Sequence, residues 1–423
     1  MKIKIKKWGI NGEGIGYYQR KPVFIPGAIP SEIVSFEPVE KTDRYWTGHL
    51  EKVLAASAQR KYPFCEYSRQ CGGCPSMHVK YRAQMKMKEN LLRQALKKYT
   101  GMTPDILPIK KNPMPLGYRN ACKMPLKKVD GHWQCGMYRT DSQTFVPVRR
   151  CFIHSKLLEQ TRQRIVELMN EFVPEGFKTL VLKELDEKIQ IIFVTKRIDI
   201  PSTLIEQCAR LEGVVSIWQN IKETDSHETF GPEMKHLALE EKLVLALDGL
   251  TLELLPSSFF QLNTQQAKRL YQTVVDQIMP CDTLVEAYCG IGAIGLLAAN
   301  KAKQLIGIEY NAQAVENAEN NARINQIHRA RYIAGDAGTE LKQLKEKVDV
   351  LVVDPPRSGL DKRMVDAIRQ KQPEQIIYVS CNTSTLAKNI AQLKEYAVQR
   401  IQPVDMFSQT AHVESIVTMS KKR

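Results

Sequence analysis

Residues 282–299 read DTLVEAYCGIGAIGLLAA, and this stretch decides the fold. A short apolar run ends in a glycine-bearing turn and passes into a second apolar run of helical length. Gly290, Gly292 and Gly295 stand at that strand-to-helix turn, where glycine lets a ligand approach the backbone and leaves helix N-terminal N–H groups free. The same glycines also serve a tight turn with no ligand, so the surroundings must decide. From about residue 250 onward, strand-like runs alternate with segments of helical period: QLIGIEY, ARYIAGD, VDVLVVDPP and QIIYVSC follow in order. That alternation predicts a Rossmann-like, doubly wound α/β domain with ligands at the carboxyl ends of parallel strands. VQRIQPVDMF and HVESIVTMSK read as two further strands closing the sheet.

Working outward from the turn, Glu309 ends the next strand, about 20 residues on, where a carboxylate accepts both hydroxyls of a ribose. Asp336, in GDA, ends the third strand and suits the amino group of adenine. The fourth strand ends in DPPRSG (354–359) and the fifth in SCNTST (380–385), so Asp354 and Cys381 are expected to share one crevice. QTAHVES (409–415) adds Gln409, His412 and Glu414. A nicotinamide enzyme shares the glycine turn and the acids. A cysteine, a carboxylate and an adenosine site in one cleft instead imply covalent catalysis with general-base help. Taken alone, without its SCN context, Cys381 reads as a packed, inert thiol.

The rest of the chain organises around this region, since 423 residues exceed one ordinary core and predict two or three domains. Residues 1–55 alternate in short segments (KIKIKKW, KPVFIPG, SEIVSFEPV, YWTGHLEKVL) broken by turn residues, the pattern of a small OB-like β-barrel. Lys2, Lys4, Lys6 and Lys7 would give it a basic strip. Residues 56–245 hold a cysteine-bearing loop at 65–74 and a helix from about Val79 to Tyr99 that carries Lys86, Lys88, Arg93, Lys97 and Lys98. Strand-like TLVLKEL, IQIIFVT and VVSIWQN follow, with a helix near 155–172, which makes this an α+β domain. Residues 246–423 form the catalytic region.

A formal net charge of +15 and a pI near 9.2 favour polyanions. From Pro108 to Arg150 nine Lys or Arg face two Asp, interleaved with Tyr118, Trp133, Tyr138 and Phe145. Such a mixture grips phosphates and stacks bases, so RNA is the expected partner. No apolar run approaches the roughly 18 residues that span a bilayer. MKIKIKKWGI alternates Lys with Ile, which reads as a strand and not a signal peptide, so a cytoplasmic monomer is expected. Ten cysteines in a reducing compartment are not a disulfide framework. Cys65, Cys71 and Cys74 have the spacing C-x5-C-x2-C, and Cys151 follows in VRRCFIH; four thiolates fit either tetrahedral zinc or an iron–sulfur cluster.

Together, DPPRSG, SCNTST and QTAHVE resemble the signature of the RNA uracil-5 methyltransferases, and SSFFQLN (257–263) is similar to their additional cofactor motif. The likeness spans essentially the whole chain. It implies a catalytic domain that uses S-adenosyl-L-methionine, with Cys381 as nucleophile and Glu414 as base. It also implies that Gln261, Tyr288, Glu309 and Asp354, joined by Asp336, line the cofactor site. Thiolate addition to C6 of uracil makes C5 nucleophilic toward an activated methyl group, and a base must then remove the C5 proton. Cys381 therefore needs a lowered pKa or a nearby proton acceptor. Family members that act on ribosomal RNA carry a TRAM-type barrel and a [4Fe–4S] cluster on three clustered cysteines and one later one. The resemblance thus implies a cluster on Cys65, Cys71, Cys74 and Cys151 and a 23S ribosomal RNA substrate. A transfer-RNA enzyme is the alternative, and a non-catalytic RNA-binding protein the alternative of another class. Three positions depart from the pattern. Thr383 stands where the family usually has a proline, Ser408 replaces another proline, and Ala293 sits where a polar residue can face the cofactor.

Overall fold

The computed structural model describes residues 1–139, 142–172, 175–226 and 228–422; Asp141, counted among the acids above, and Arg423 lie outside the described residues. Lys2–Trp8 (β1), Gly14–Tyr18 (β2), Lys21–Ile25 (β3), Ile33–Lys41 (β4) and Trp46–Ala55 (β5) close into a barrel in the order β1-β2-β3-β5-β4. Ile3 and Ile5 join Val23, Ile25, Val34 and Phe36 inside it, while Lys2, Lys4, Lys6 and Lys7 face water. A register shift between Ile5 and Lys7 turns two successive lysines outward.

After helix Tyr81–Thr100 (α1), a second sheet forms from Ala121–Val129 (β6), His132–Tyr138 (β7), Phe145–Pro147 (β8), Phe177–Leu185 (β9), Lys188–Thr195 (β10), Val214–Ile221 (β11) and Glu233–Leu239 (β12). Its order is β12-β11-β10-β9-β6-β7-β8. Helices Lys156–Phe172 (α2) and Ser202–Ala209 (α3) cover one face, over Cys122, Met124, Leu180 and Leu182.

The hairpin Leu243–Leu247 (β13) and Leu250–Leu254 (β14) leads through helix Thr264–Gln277 (α4) into the third sheet. There Cys281–Ala287 (β15), Ala302–Glu309 (β16), Ala330–Ala334 (β17), Val350–Val353 (β18) and Gln375–Ser380 (β19) run parallel, and Tyr396–Val404 (β20) and Glu414–Lys421 (β21) complete it. The order β17-β16-β15-β18-β19-β21-β20, with β21 antiparallel to both neighbours, is the expected doubly wound sheet closed by the tail. Helices lie on both faces, so strands such as VLVV are buried throughout and read as unbroken apolar runs. Ala293–Leu297 (α5) and Ala312–Ile324 (α6) join α4 and the hairpin on one face. On the other lie Ala337–Gln343 (α7), Lys362–Lys371 (α8) and Thr383–Gln392 (α9).

That second face has a further member. Leu92, Ala95 and Leu96 of α1 pack with Val285, Val353, Leu386 and Ile390, so a helix from near residue 90 covers the C-terminal sheet. The chain beyond α1 follows β20, with Leu107 N donating to Ile401 O (3.0 Å) and Lys110 N to Pro403 O (2.9 Å). Lys88 of α1 is fully buried, as is its ion-pair partner Asp405 in the segment between β20 and β21. Its Nζ also donates to Phe407 O at 2.8 Å, and the hydroxyls of Tyr81 and Ser408 both donate to Asp405 Oδ2 at 2.7 Å. No helix among the described residues is long and apolar enough to cross a membrane.

A buried charge that loses its partner pays a full desolvation penalty. Lys88→Met should therefore destabilise the fold by about 3–5 kcal/mol in urea unfolding, and Lys88→Met with Asp405→Leu should recover most of the loss. An unchanged midpoint in the single variant would contradict the pairing.

Candidate active site

Strand pairing brings the two sequence-predicted catalytic residues together. β19 and β21 pair Val379 with Ile416 and Ser380 with Ser415, so the next step of that register sets Cys381 opposite Glu414. Facing residues of an antiparallel pair hold their Cβ atoms about 4.5–5.5 Å apart on one face. β18 flanks β19 on its other side, and Asp354 leaves its carboxyl end into the same crevice.

Electrostatics confirm the grouping. Burial pushes the Cys381 thiol up to about 11, Glu414 and Asp354 add to the rise, and Arg357 opposes it. Glu414 is only 3% exposed. Burial and then Asp354 push its carboxyl up to about 8 against the pull of Arg357 and Lys88. Burial alone holds Asp354 near 7. The free protein thus presents a protonated thiol beside carboxyls poised near neutrality. Of the two routes to a thiolate, the thiol pKa is raised and not lowered, and the groups placed to take its proton, when ionised, are the Asp354 and Glu414 carboxyls.

Side-chain hydrogen bonds hold the loop that carries Cys381 in the absence of the family's proline. Asn382 caps α9 by accepting from Ser384 N (3.0 Å) and Thr385 N (3.4 Å), and its Nδ2 donates to Arg357 O (3.1 Å). Thr383 takes the first helical position, where proline is merely favoured. Ser408, buried, accepts from Asn112 Nδ2 (3.1 Å) and donates to Asp405, so it replaces a ring constraint with two hydrogen bonds. Gln409 adopts a left-handed φ of 68° and exchanges hydrogen bonds with Gln84 of α1 at 2.9 and 3.0 Å. His412 is exposed. Its ring is nevertheless covered in part, and that desolvation, followed by Arg357 and Lys88, lowers its imidazole pKa.

Four of the five cofactor candidates leave the carboxyl ends of consecutive parallel strands: Tyr288 after β15, Glu309 on β16, Asp336 after β17 and Asp354 after β18. Gly290 and Gly292 adopt φ of 54° and 79°, and a Cβ at Gly290 would meet nothing within 4 Å, so the turn opens on free space. Glu309 braces this turn, Oε2 accepting from Gly290 N and Oε1 from Asn311 N, both at 3.0 Å. Asp336 caps α7 through Thr339, which, with Arg363 farther off, holds its carboxyl below the usual range. Gln261 lies buried before α4, its carbonyl accepting from Asn120 Nδ2 at 3.0 Å.

Two residues of the crevice carry no role in the sequence reading. Glu286 of β15 is buried, accepts from Gly295 N at 2.8 Å and is pushed up to about 8, chiefly by burial. An acid inside the run LVEA is the signal that could have found it. Arg357 stands inside DPPRSG and is the cation nearest in effect to both Cys381 and Glu414.

The four other cysteines also converge. Cys151 acts electrostatically on Cys65, Cys71 and Cys74, raising each, on top of burial. Burial pushes Cys151 up as well, but the His154 imidazole and backbone N–H groups outweigh it and leave its pKa below the ordinary value. Glu159 organises this corner by accepting from Cys151 N (3.0 Å) and Arg162 Nη2 (2.5 Å) and pairing with His154 Nδ1 (2.9 Å). Among the described residues, no three His, Cys, Asp or Glu side chains gather tightly enough to hold one metal ion. Just past the cysteine loop, Ser76 N donates to Gln409 O at 2.9 Å, and the Tyr118 hydroxyl donates to Ser408 O at 3.0 Å, both in the segment leading to Glu414.

Comparison with known proteins agrees with this geometry. A family model described as tRNA (Uracil-5-)-methyltransferase matches residues 80–422. A protein of Enterococcus faecalis named as an uncharacterized RNA methyltransferase is 35% identical over 445 residues, covering 99% of this chain and 97% of the relative. A similarly named protein of Halalkalibacterium halodurans is 35% identical over 437 residues, with 98% and 94% covered. The solved structure of Pyrococcus abyssi tRNA (uracil-54, C5)-methyltransferase in complex with S-adenosyl-L-homocysteine has a like fold. Its TM-score is 0.79 at 24% identity, with 99% of this chain and 100% of that one covered.

The raised carboxyls have a consequence for stability. Glu414 and Glu286 near 8 and Asp354 near 7 bind protons more tightly when folded than when unfolded. Their contribution is complete below the ordinary carboxyl pKa and is lost as pH rises through about 7 to 8. Urea unfolding from about pH 5 to about pH 9 should show falling stability, and Glu414→Gln should flatten the slope. Identical slopes in wild type and variant would contradict the assignment.

Proposed function

Because the chain belongs to the tRNA (uracil-5-)-methyltransferase family, we propose that it methylates C5 of a uridine in RNA, as a cytoplasmic enzyme. The facing positions of Cys381 and Glu414 across β19 and β21 carry this reading. Gln261, Tyr288, Glu309, Asp336 and Asp354 would hold S-adenosyl-L-methionine over the open glycine turn. Bound there, it supplies the methyl group. Cys381 passes its proton to the Asp354 carboxylate and adds its sulfur to C6, which places the electron pair of the C5–C6 bond at C5 and leaves Glu414 free for the later step. Once C5 carries the methyl, Glu414 takes the C5 proton, the C5–C6 double bond re-forms and the C–S bond breaks. Raised to about 8, the Glu414 carboxyl is in its ionised form a stronger base for that proton than an ordinary carboxylate.

The barrel and the four-cysteine set support 23S ribosomal RNA as the substrate through the family resemblance. A transfer-RNA uridine is favoured by a different observation, the likeness of fold over 99% of the chain to an enzyme named for uracil-54 of tRNA. Either substrate keeps the same chemistry. Cys65, Cys71, Cys74 and Cys151 would hold a [4Fe–4S] cluster: their four thiols lie within electrostatic reach of one another, and the family resemblance favours a cluster over zinc. Its chemistry there is structural, since methyl transfer consumes no electrons.

Glu414→Gln should complete one methyl transfer and then stall as a protein–RNA adduct visible on a denaturing gel, with turnover slowed by roughly 10²–10⁴-fold. A freely cycling variant would remove Glu414 from the base role. Comparing 5-methyluridine in ribosomal and transfer RNA from cells with and without the protein identifies the substrate. Cys74→Ser should lose bound iron and brown absorbance; wild-type protein purified anaerobically without iron would refute the cluster.

A further inference from the structure

β6 and β9 pair Ala121 with Lys183 and Lys123 with Val181, which makes Lys123 and Lys183 diagonal neighbours on one face of the second sheet. Such neighbours lie about 7–8 Å apart. Theirs is the face opposite α2 and α3, which pack on the alternate residues Cys122, Met124, Leu180 and Leu182. Arg119 donates its Nε to Ala121 O at 2.9 Å and adds a third positive charge that is felt at Lys123.

Among the described residues none of these cations meets a carboxylate. Lys183 Nζ donates to two backbone carbonyls, Pro256 O at 2.6 Å and Ser258 O at 2.7 Å. Lys123 Nζ reaches Thr229 Oγ1 at 3.4 Å and stands 5.7 Å from the centre of the Phe230 ring. Glu184, the acid next in sequence, points to the other face, where it accepts from Ser155 and Leu158 N. Across β10 the partner of Lys183 is the neutral Gln190.

Like charges set side by side on a sheet repel, and a partly buried cation without an anion is costly. Burial and then Lys123 push Lys183 down to about 7. An arriving anion turns both costs into attraction. The carbonyls that Lys183 holds belong to the 256–263 loop with Gln261, and Phe259 on that loop is 69% exposed. Trp218 and Phe230 lie partly exposed on the same sheet face.

We propose that Arg119, Lys123 and Lys183 form a phosphate site that seats the RNA backbone against the 256–263 loop. The site rests on the reading of RNA as substrate. Its chemistry is that of a phosphodiester flanked by aromatic surfaces on which a neighbouring base stacks.

The test is the salt dependence of binding of a fluorescent oligouridylate of about ten nucleotides. Lys123→Gln and Lys183→Met should each weaken binding about 3–10-fold and reduce the log–log salt slope by about 0.7, the value of one single-strand phosphate contact. Lys123→Gln removes only a 3.4 Å contact to Thr229 Oγ1, so it should keep the wild-type melting temperature and separates lost binding from lost folding. Wild-type affinity and slope in both variants would overturn the site. So would stabilisation of the wild type by inorganic phosphate with no change in the RNA slope, since the ligand would then be the free ion. Binding is read without methyl transfer: failure of the reaction leaves these slopes standing, and unchanged slopes leave the reaction standing.

Discussion

The antiparallel insertion of β21 beside β19 is the constraint on which the site depends. Side chains alternate between the faces of a strand, so a slip of one residue would send Glu414 to the face opposite Cys381. Pairing from Gln375 with Ser420 to Ser380 with Ser415 fixes the register, and burial of Ile416, Val417 and Met419 on alternating sides penalises any slip. The segment that feeds β21 is held with equal care. Lys88, Tyr81 and Gln84, all from α1, reach Asp405, Phe407 and Gln409 just before Glu414. A helix from the first quarter of the chain therefore sets where the last strand begins.

This explains which parts were legible in the sequence. The third sheet was, because strands covered on both faces must be continuously apolar and the glycine turn after β15 needs left-handed backbone at Gly290 and Gly292. The barrel was too, since Ile3 and Ile5 against Lys2 and Lys4 expose its period. The destination of α1 was not. Its apolar stripe says that Leu92 and Leu96 are buried, but nothing local says against which sheet. Lys88 reads as one more basic residue on that helix, although its charge lies in the core beside Asp405.

The candidate site divides in the same way. Motifs at strand ends named Cys381, Glu414, Glu309, Asp336 and Asp354, because strand order alone gathers those ends in one crevice. Their protonation states come from burial and mutual repulsion, which no motif encodes. The thiol of Cys381 is raised where sequence reasoning asked for a lowered value or an acceptor. Thr383 and Ser408, which stand where family members carry prolines, sit beside other constraints: the Asn382 side chain accepts from Ser384 N and Thr385 N, and Ser408 donates to Asp405.

The proposed chemistry runs through one covalent bond, from the sulfur of Cys381 to the pyrimidine. Incubation with an RNA that carries 5-fluorouridine at the target position blocks the final proton removal, so the bond can be captured and located by peptide mass spectrometry. The account requires a cofactor-dependent adduct on the peptide containing Cys381, absent in Cys381→Ala. An adduct on another residue, or methylation by Cys381→Ala, would contradict it.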